Sequence, residues 1–442
     1  MKFTDFNFHE NLSEGIAASG YEEPTPVQAQ VIPLILAGKD IIASAQTGTG
    51  KTAAFLLPLL NKLITEPHDD HHINALIVVP TRELAIQIAE HLEGLSYFTS
   101  VSSIAVYGGG DGGSFVQEKQ ALSRGVDVVV CTPGKMIAHM NMGYVKLKGL
   151  RYLVLDEADR MLDMGFNEDI MKIISMVPVQ RQTLLFSATM PPKIRSLAQK
   201  ILQHPEEINI AISKPPEKIV QEAFIVYEPQ KIPLVKMLLK SKTFNSILIF
   251  CSRKQNVKQL TVELQRSGLK VEAIHSDLEQ SQREEVLRSF TSKRLPALVA
   301  TDILSRGIDI DHIDLVINYD VPNDGEDYVH RIGRTARAET DGTAYTFVTE
   351  REQNKFAAIE ALLGKSVHKA KVPEQLGPVP AYQPRTRGGG GGGGRGEGGR
   401  GGGERGPQPR FQPAKKSSGH PRSNHNNNNN NNSNNNHRPN SR

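Results

Sequence analysis

A run of small, hydroxyl-bearing and cationic residues is the strongest chemical signal in the chain. It lies between a strand-like segment, 40–44, and an apolar helix-like segment, 53–60. In order, its residues are Ala45, Gln46, Thr47, Gly48, Thr49, Gly50, Lys51 and Thr52. Small residues allow successive backbone N–H groups to converge on phosphate oxygens at the start of a helix. Lys51 would then reach the β- and γ-phosphates of a nucleoside triphosphate, and Thr52 would bind Mg²⁺. Ala45 departs from the general pattern, which has glycine there.

An acidic segment follows the strand-like run 152–156 and contains Asp156, Glu157 and Asp159. Carboxylates at the carboxyl end of a parallel strand face the ligand crevice of a doubly wound sheet. Asp156 would hold Mg²⁺ through its water shell, and Glu157 would orient and deprotonate the attacking water. Alone, the segment is equally typical of a solvated turn. Its combination with the phosphate loop favours a nucleotide hydrolase.

A basic segment near residue 330 contains His330, Arg331, Arg334 and Arg337. Hydrolysis spreads negative charge over the γ-phosphoryl oxygens, and arginines from outside the phosphate loop stabilise that charge, worth ~10³–10⁵ in rate. If the segment is helical, the spacing of its three arginines predicts a shared face. Taken alone, a simple basic helix is the more common interpretation.

Two series of apolar strands alternate with helix-length segments, which predicts doubly wound parallel sheets with strands buried on both faces. The first series is 75–80, 127–131, 152–156 and 183–187, and the second is 246–251, 296–301, 315–320 and 344–348. Residues 210–218 contain paired prolines and interrupt the pattern, as an inter-domain linker would. The pattern ends near Lys371. Beyond it the Gly/Arg-rich and Asn-rich sequence offers nothing that could form a core, so we expect a disordered tail.

Charge and composition exclude several classes of protein. The net charge of the 442 residues is +4, but residues 385–442 carry +9, which leaves −5 for residues 1–384. The basic tail is suited to sequence-independent RNA binding, although a solubilising spacer remains an alternative. Two cysteines, Cys131 and Cys251, exclude a disulfide scaffold and are expected to be packed and inert. No apolar run approaches the ~18 residues of a membrane span, so we expect a soluble cytoplasmic protein without membrane contact.

The three chemical segments, in this order, resemble the DEAD-box RNA helicases of superfamily 2 over residues 1 to about 371. The resemblance implies two tandem RecA-like domains, with ATP and Mg²⁺ as cofactors and RNA as partner. It implies a Q-motif region at 1–29, domain 1 at 30–209, the linker at 210–218, domain 2 at 219–372 and the tail at 373–442. Within residues 20–28, which resemble the Q motif, Gln28 would read the adenine edge beside Tyr21, and Phe3 would stack on the base.

Further short segments resemble family motifs that grip the RNA backbone without reading bases. In the first half these implied RNA contacts are Pro80, Thr81, Arg82, Gly108, Gly109, Thr132 and Pro133, and in the second half Arg253, Gln280, Arg283, Thr301 and Gly307. Lys135 stands where the family commonly has Arg, which keeps the charge but not bidentate phosphate contact.

Other positions carry implied roles in nucleotide binding and coupling. Asp302 would contact the ATP ribose, and Arg334 and Arg337 would be arginine fingers. Ser187 and Thr189 resemble motif III, whose hydroxyls would bridge the Asp159 carboxylate and His330 and so couple the nucleotide site to RNA unwinding. Ala336 replaces the commoner Gly, which, with the Gly-rich tail, resembles the bacterial RhlE-like subgroup.

The resulting hypothesis is an ATP-dependent RNA helicase that unwinds short duplexes locally. Two alternatives remain: a DNA-directed helicase of the same superfamily, and an RNA-clamping scaffold that relies on its tail. Ribosomal and RNA-decay proteins are candidate partners. The histidines 68, 71 and 72 are favoured as part of a polar loop over a metal site, because no further ligands follow at a convincing spacing.

Overall fold

The computed structural model describes residues 1–45, 49–109, 112–209, 219–241, 244–301, 313–323, 325–335 and 342–384. These residues form two halves, each built on a parallel sheet with flanking helices. The two doubly wound sheets expected from the alternation of strands and helices are therefore confirmed. The expected linker, 210–218, lies outside the described residues.

The first half contains a seven-stranded parallel sheet in the order β3-β4-β2-β5-β6-β1-β7. Its strands are β1 (Ile41–Ser44), β2 (Ile73–Val78), β3 (Ser103–Val106), β4 (Val126–Cys131), β5 (Tyr152–Leu155), β6 (Gln182–Ser187) and β7 (Glu206–Asn209). Its helices are α1 (Glu10–Ala18), α2 (Pro26–Leu36), α3 (Lys51–Thr65), α4 (Arg82–Ser96), α5 (Gly112–Arg124), α6 (Pro133–Asn141), α7 (Ala158–Asp163), α8 (Asn167–Met176) and α9 (Pro192–Ile201).

The second half repeats this plan with the strand order β10-β11-β9-β12-β13-β8-β14. Its strands are β8 (Ile219–Ile225), β9 (Ile247–Cys251), β10 (Val271–Ile274), β11 (Ala297–Thr301), β12 (Leu315–Asn318), β13 (Gly342–Val348) and β14 (His368–Lys369). Its helices are α10 (Lys231–Ser241), α11 (Lys254–Arg266), α12 (Gln280–Thr291), α13 (Gly325–Ile332) and α14 (Gln353–Leu363).

The central strands carry apolar side chains on both faces because helices cover both sides of each sheet. Every residue of β2, β4, β9 and β11 is buried. Cys131 and Cys251 end two of these strands as buried cysteines without a disulfide bond among the described residues, and burial raises the pKa of Cys131 far above its ordinary value. Both cysteines are packed, as expected. Within the described residues, no helix is both long and apolar enough to cross a membrane.

The second half extends further than the sequence indicated. We expected the tail to begin at residue 373, but residues up to Pro384 pack against the second half. The side-chain amide of Gln230 donates to the carbonyl oxygens of Leu376 (2.7 Å) and Pro378 (2.9 Å), and Tyr382 Oη donates to Glu360 at 2.6 Å. The expected boundary at residue 373 is thus wrong. Side chains of the second half make hydrogen bonds to the backbone of residues 376–383, although this segment forms no long helix or strand. Residues 385–442 lie outside the described chain.

Candidate nucleotide site and the opposing half

The phosphate-loop cation, Lys51, is buried. Lys51 is the first residue of α3, directly beyond the loop that follows β1, and it is 6% exposed. Its ammonium nitrogen meets no hydrogen-bond acceptor in the part of the chain that the structure describes. Burying an unpaired ammonium is costly, so this position is prepared for an anionic ligand. Thr52 follows it on α3, and Gln46, Thr47 and Gly48 lie outside the described residues.

A carboxyl group with a raised pKa, that of Asp156, directly follows β5. Asp156 is 3% exposed, and burial raises its pKa to about 6, while Lys51 lowers it and Glu157 and Asp159 raise it. Loss of water therefore outweighs the neighbouring cation. A bound divalent cation would stabilise the ionised form of this carboxylate.

Glu157 occupies a backbone conformation that non-glycine residues rarely adopt. Its φ is +50°, and it is the residue before α7. Its backbone N–H donates to Asp156 Oδ1 at 2.9 Å, and its Oε2 accepts from Arg160 Nη1 at 3.3 Å. Such left-handed residues cost of order 1–3 kcal/mol and cluster at functional sites. Arg160, which the sequence analysis did not single out, is the buried cation paired with Glu157.

The side chain of the Q-motif residue Gln28 makes hydrogen bonds both to the start of α2 and to the phosphate loop. Its Oε1 accepts from Thr25 N at 2.8 Å, and its Nε2 donates to Gly50 O at 3.1 Å. Gly50 has φ +88°, and a Cβ there would lie 2.5 Å from Gln28 Nε2. Only glycine therefore fits this contact. The expected adenine contact of Gln28 stays a prediction.

Phe3 is a core residue of the first half. It is 5% exposed and packs on Phe6 and Tyr21, with ring centroids 6.0 and 5.7 Å apart. Tyr21 is partly buried against the same cluster. Ala45, at the start of the loop, is 2% exposed and donates its N–H to Ser187 O at 3.1 Å. Stacking of Phe3 on a base remains a prediction.

The motif III residues contact Asp159 differently from our expectation. Asp159 Oδ2 accepts from the backbone N–H of Thr189 at 3.1 Å, while Ser187 Oγ accepts from Asp159 N at 3.3 Å and donates to Thr189 O at 2.7 Å. The expectation that hydroxyls hold the carboxylate was wrong because the turn after β6 presents a backbone donor. His330 is buried on α13 in the second half.

Of the arginines expected to share one helical face, the two that the structure describes, Arg331 and Arg334, do not lie on one helix. Helix α13 ends at Ile332. Arg331 is fully buried, donates to Asn318 Oδ1 at 3.1 Å, and stacks its guanidinium over Phe250 at 5.2 Å. Arg334 lies beyond the helix in a turn and is 3% exposed. The common face was expected only if the segment is helical, and that condition is not met at Arg334 because the helix stops before it. Arg337 lies outside the described residues, as do Asp302 and Gly307.

Two implied RNA-contact segments meet across the halves. The guanidinium of Arg82 packs on Gly108 and Gly109, so a Cβ on Gly109 would lie 2.2 Å from Arg82 Nη1 and 3.4 Å from Gln280 Cβ. Arg283 Nη1 donates to Glu83 Oε1 at 3.3 Å, with both side chains largely buried. Glu83 was not singled out by the sequence analysis, although it adjoins Arg82.

The other implied RNA residues lie at the carboxyl ends of strands or at helix starts. Thr81 caps α4 by accepting from Leu84 N at 3.3 Å, and it follows Pro80. Thr132 and Pro133 start α6, and Arg253 precedes α11 as an exposed residue. Thr301 ends β11, and its buried hydroxyl has no partner among the described residues.

Comparisons with known proteins assign the chain to a family. The family model "DEAD/DEAH box helicase" matches residues 25–197, and "Helicase conserved C-terminal domain" matches residues 230–339. The ATP-dependent RNA helicase CshA of Listeria monocytogenes is 42% identical over 373 residues, which is 84% of this chain and 71% of the relative. The corresponding protein of Bacillus subtilis is 41% identical over 84% of this chain and 74% of its own length.

Solved structures agree with this assignment. S. cerevisiae Dbp5 bound to RNA and ADP BeF3 matches with a TM-score of 0.75 and 30% identity, over 83% of this chain and 95% of that one. Mss116p bound to ssRNA and AMP-PNP also matches with a TM-score of 0.75, at 28% identity over 85% and 80% of the two chains. The chain belongs to the DEAD-box ATP-dependent RNA helicases.

Proposed function

We propose that this chain hydrolyses ATP at the carboxyl edge of its first sheet, under stimulation by RNA held across both halves. The strongest support is that a buried cation and a buried carboxyl group lie together at that edge. The buried ammonium of Lys51 finds no acceptor in the described chain, while burial holds the Asp156 carboxyl at a raised pKa of about 6. A triphosphate and a divalent cation would supply the two missing partners.

Mg²⁺ is the cation that this oxygen-rich site would take, held by Thr52 and by Asp156, largely through water. When bound, it would neutralise charge on the phosphate oxygens. In our proposal Lys51 binds the terminal phosphates and Glu157 orients the attacking water. Residues 45–50, Phe3, Tyr21, Gln28 and Asp302 bind the rest of the nucleotide.

The second half would complete the site with positive charge. We assign Arg334 and Arg337 to the stabilisation of charge on the γ-phosphoryl group, and Asp159, Ser187, Thr189 and His330 to coupling with RNA. The buried pair Glu83–Arg283 supports closure, since it links an implied RNA segment of each half. Because ATP and RNA would both favour the closed arrangement, each would strengthen binding of the other. Closure would open a short duplex locally, and phosphate release would reopen the cleft.

Finer assignments also belong to this proposal. We place the chain in an RhlE-like subgroup on account of Ala336 and the Gly-rich tail, and its action in the cytoplasm, with ribosomal or RNA-decay proteins as partners. The proposed domain limits are 1–29 for the Q-motif region, 30–209 for domain 1, 210–218 for the linker and 219–384 for domain 2.

The test compares steady-state ATPase activity with RNA and with DNA of matched sequence. We expect RNA to raise the rate and DNA to leave it near the basal value. Equal stimulation would favour the DNA-directed alternative, and no stimulation by RNA would contradict the proposal. Glu157→Gln should keep ATP and RNA binding but lose turnover, because the amide cannot accept the proton of water. Normal turnover in this variant would remove Glu157 from its assigned role.

A further inference from the structure

The buried carboxylate of Glu118 forms an ion pair with Lys135, the only cation in the sequence segment 132–135. Lys135 stands where the family commonly has Arg. Glu118 lies on α5 with its side chain 7% exposed, and Lys135 lies in the first turn of α6. Lys135 Nζ is 2.8 Å from Glu118 Oε2 and 5.4 Å from the centre of the Phe115 ring. Since a cation at a helix N-terminus faces the positive end of the helix dipole, this ion pair offsets an unfavourable placement.

His139 fixes the carboxylate from the other side. Its Nε2 is 2.9 Å from the same Glu118 oxygen, its Nδ1 contacts Tyr144 Oη, and Phe115 stacks on its ring with centroids 5.1 Å apart. Burial lowers the pKa of His139, although Glu118 raises it. A neutral imidazole that donates from Nε2 satisfies both contacts, with the Tyr144 hydroxyl donating to Nδ1. The cluster of Glu118, Lys135 and His139 then has a net charge of zero.

This arrangement limits what Lys135 offers to a phosphate. A carboxylate within 3 Å of an ammonium cancels most of its field at a third charge a few ångströms further away. Lys135 keeps 18% of its side chain exposed beside Thr132 and Pro133, so the ammonium is accessible but already neutralised.

We propose that Glu118 is a positioning residue that sets RNA affinity, by keeping Lys135 in an ion pair and so weakening its attraction for the RNA backbone. The inference rests on the proposed binding of RNA by the segment 132–135. The Glu118–Lys135 ion pair would keep RNA binding by the segment 132–135 weak enough for the RNA to be released after each hydrolysis cycle.

The test measures binding of a fluorescent uridine-only RNA to the full-length chain, with a non-hydrolysable ATP analogue, across a series of salt concentrations. Glu118→Gln keeps the size of the side chain and an oxygen for His139 and Lys135, but removes the charge. We expect it to tighten RNA binding about three- to tenfold at low salt and to steepen the salt dependence by up to about one released counterion.

A double-mutant cycle separates this role from a structural one. Adding Lys135→Gln to Glu118→Gln should abolish the tighter binding and return the salt slope to the wild-type value or below. Unchanged or weaker binding by Glu118→Gln would overturn the inference, as would tighter binding that persists with Lys135→Gln. If the wild-type chain shows no RNA binding or stimulation, the proposed function itself fails. If it shows both and Glu118→Gln binds no tighter, the inference alone fails.

Discussion

Replacing Asp156 by Asn should change how the stability of the nucleotide-free protein depends on pH. Burial raises the pKa of Asp156 from 3.8 to about 6. The folded chain therefore holds this proton more tightly than the unfolded chain does. The wild type gains stability as the pH falls through 6 towards 3.8, and it loses that stability as the pH rises through 6. The rise of this pKa from 3.8 to about 6 corresponds to roughly 3 kcal/mol in full, and linkage gives roughly 1 kcal/mol of it between pH 8 and pH 5.

Urea unfolding of wild type and Asp156→Asn, followed at several pH values without nucleotide or metal, measures this quantity. Asn has the same shape but cannot titrate, so the difference between the two proteins isolates Asp156. We expect the free energy of unfolding of the wild type, relative to the variant, to rise by roughly 1 kcal/mol from pH 8 to pH 5. Glu272→Gln, at an exposed position of β10, controls for loss of one surface charge. A pH-independent difference, or one that grows with pH, would refute the reasoning.

Two further predictions concern contacts between segments. Gly109→Ala should lower the RNA-stimulated rate at least about tenfold, because φ is +92° and the new Cβ would meet Arg82 Nη1 at 2.2 Å. Gly112→Ala is the matched control with nothing within 4 Å, and similar losses in both would contradict this. Gln28→Ala should raise KM for ATP about tenfold through loss of the bond to Gly50, whereas exposed Gln30→Ala should not. Equal KM values for the two variants would count against it.

The sequence was sufficient for the architecture because buried parallel strands are apolar along their whole length. The expected runs 127–131 and 183–187 lie within β4 and β6. The phosphate loop was also recognisable, since its spacing reflects backbone geometry at a strand–helix junction. Patterns in the local sequence were therefore sufficient to predict features that depend on a single strand, helix or loop.

The sequence did not predict the position of residues whose burial depends on contacts with another segment of the chain. Arg331 reads as a surface cation, yet Asn318 and the Phe250 ring hold it in the core of the second half. The extension to Pro384 depends on Gln230 and Glu360, which are far away in sequence. The buried Glu118 carried no local signal, because its two partners lie on the next helix.

The central claim is that positive charge from the second half acts on ATP bound in the first. The most direct measurement is the RNA-stimulated kcat of Arg334→Ala, alongside nucleotide affinity and thermal melting. Arg351→Ala, an exposed change in the same half, serves as control. We predict a loss of at least ~10³ in kcat for Arg334→Ala with ATP binding and folding retained, and near-normal kcat for the control. A folded Arg334→Ala protein with kcat within tenfold of the wild type would contradict the account.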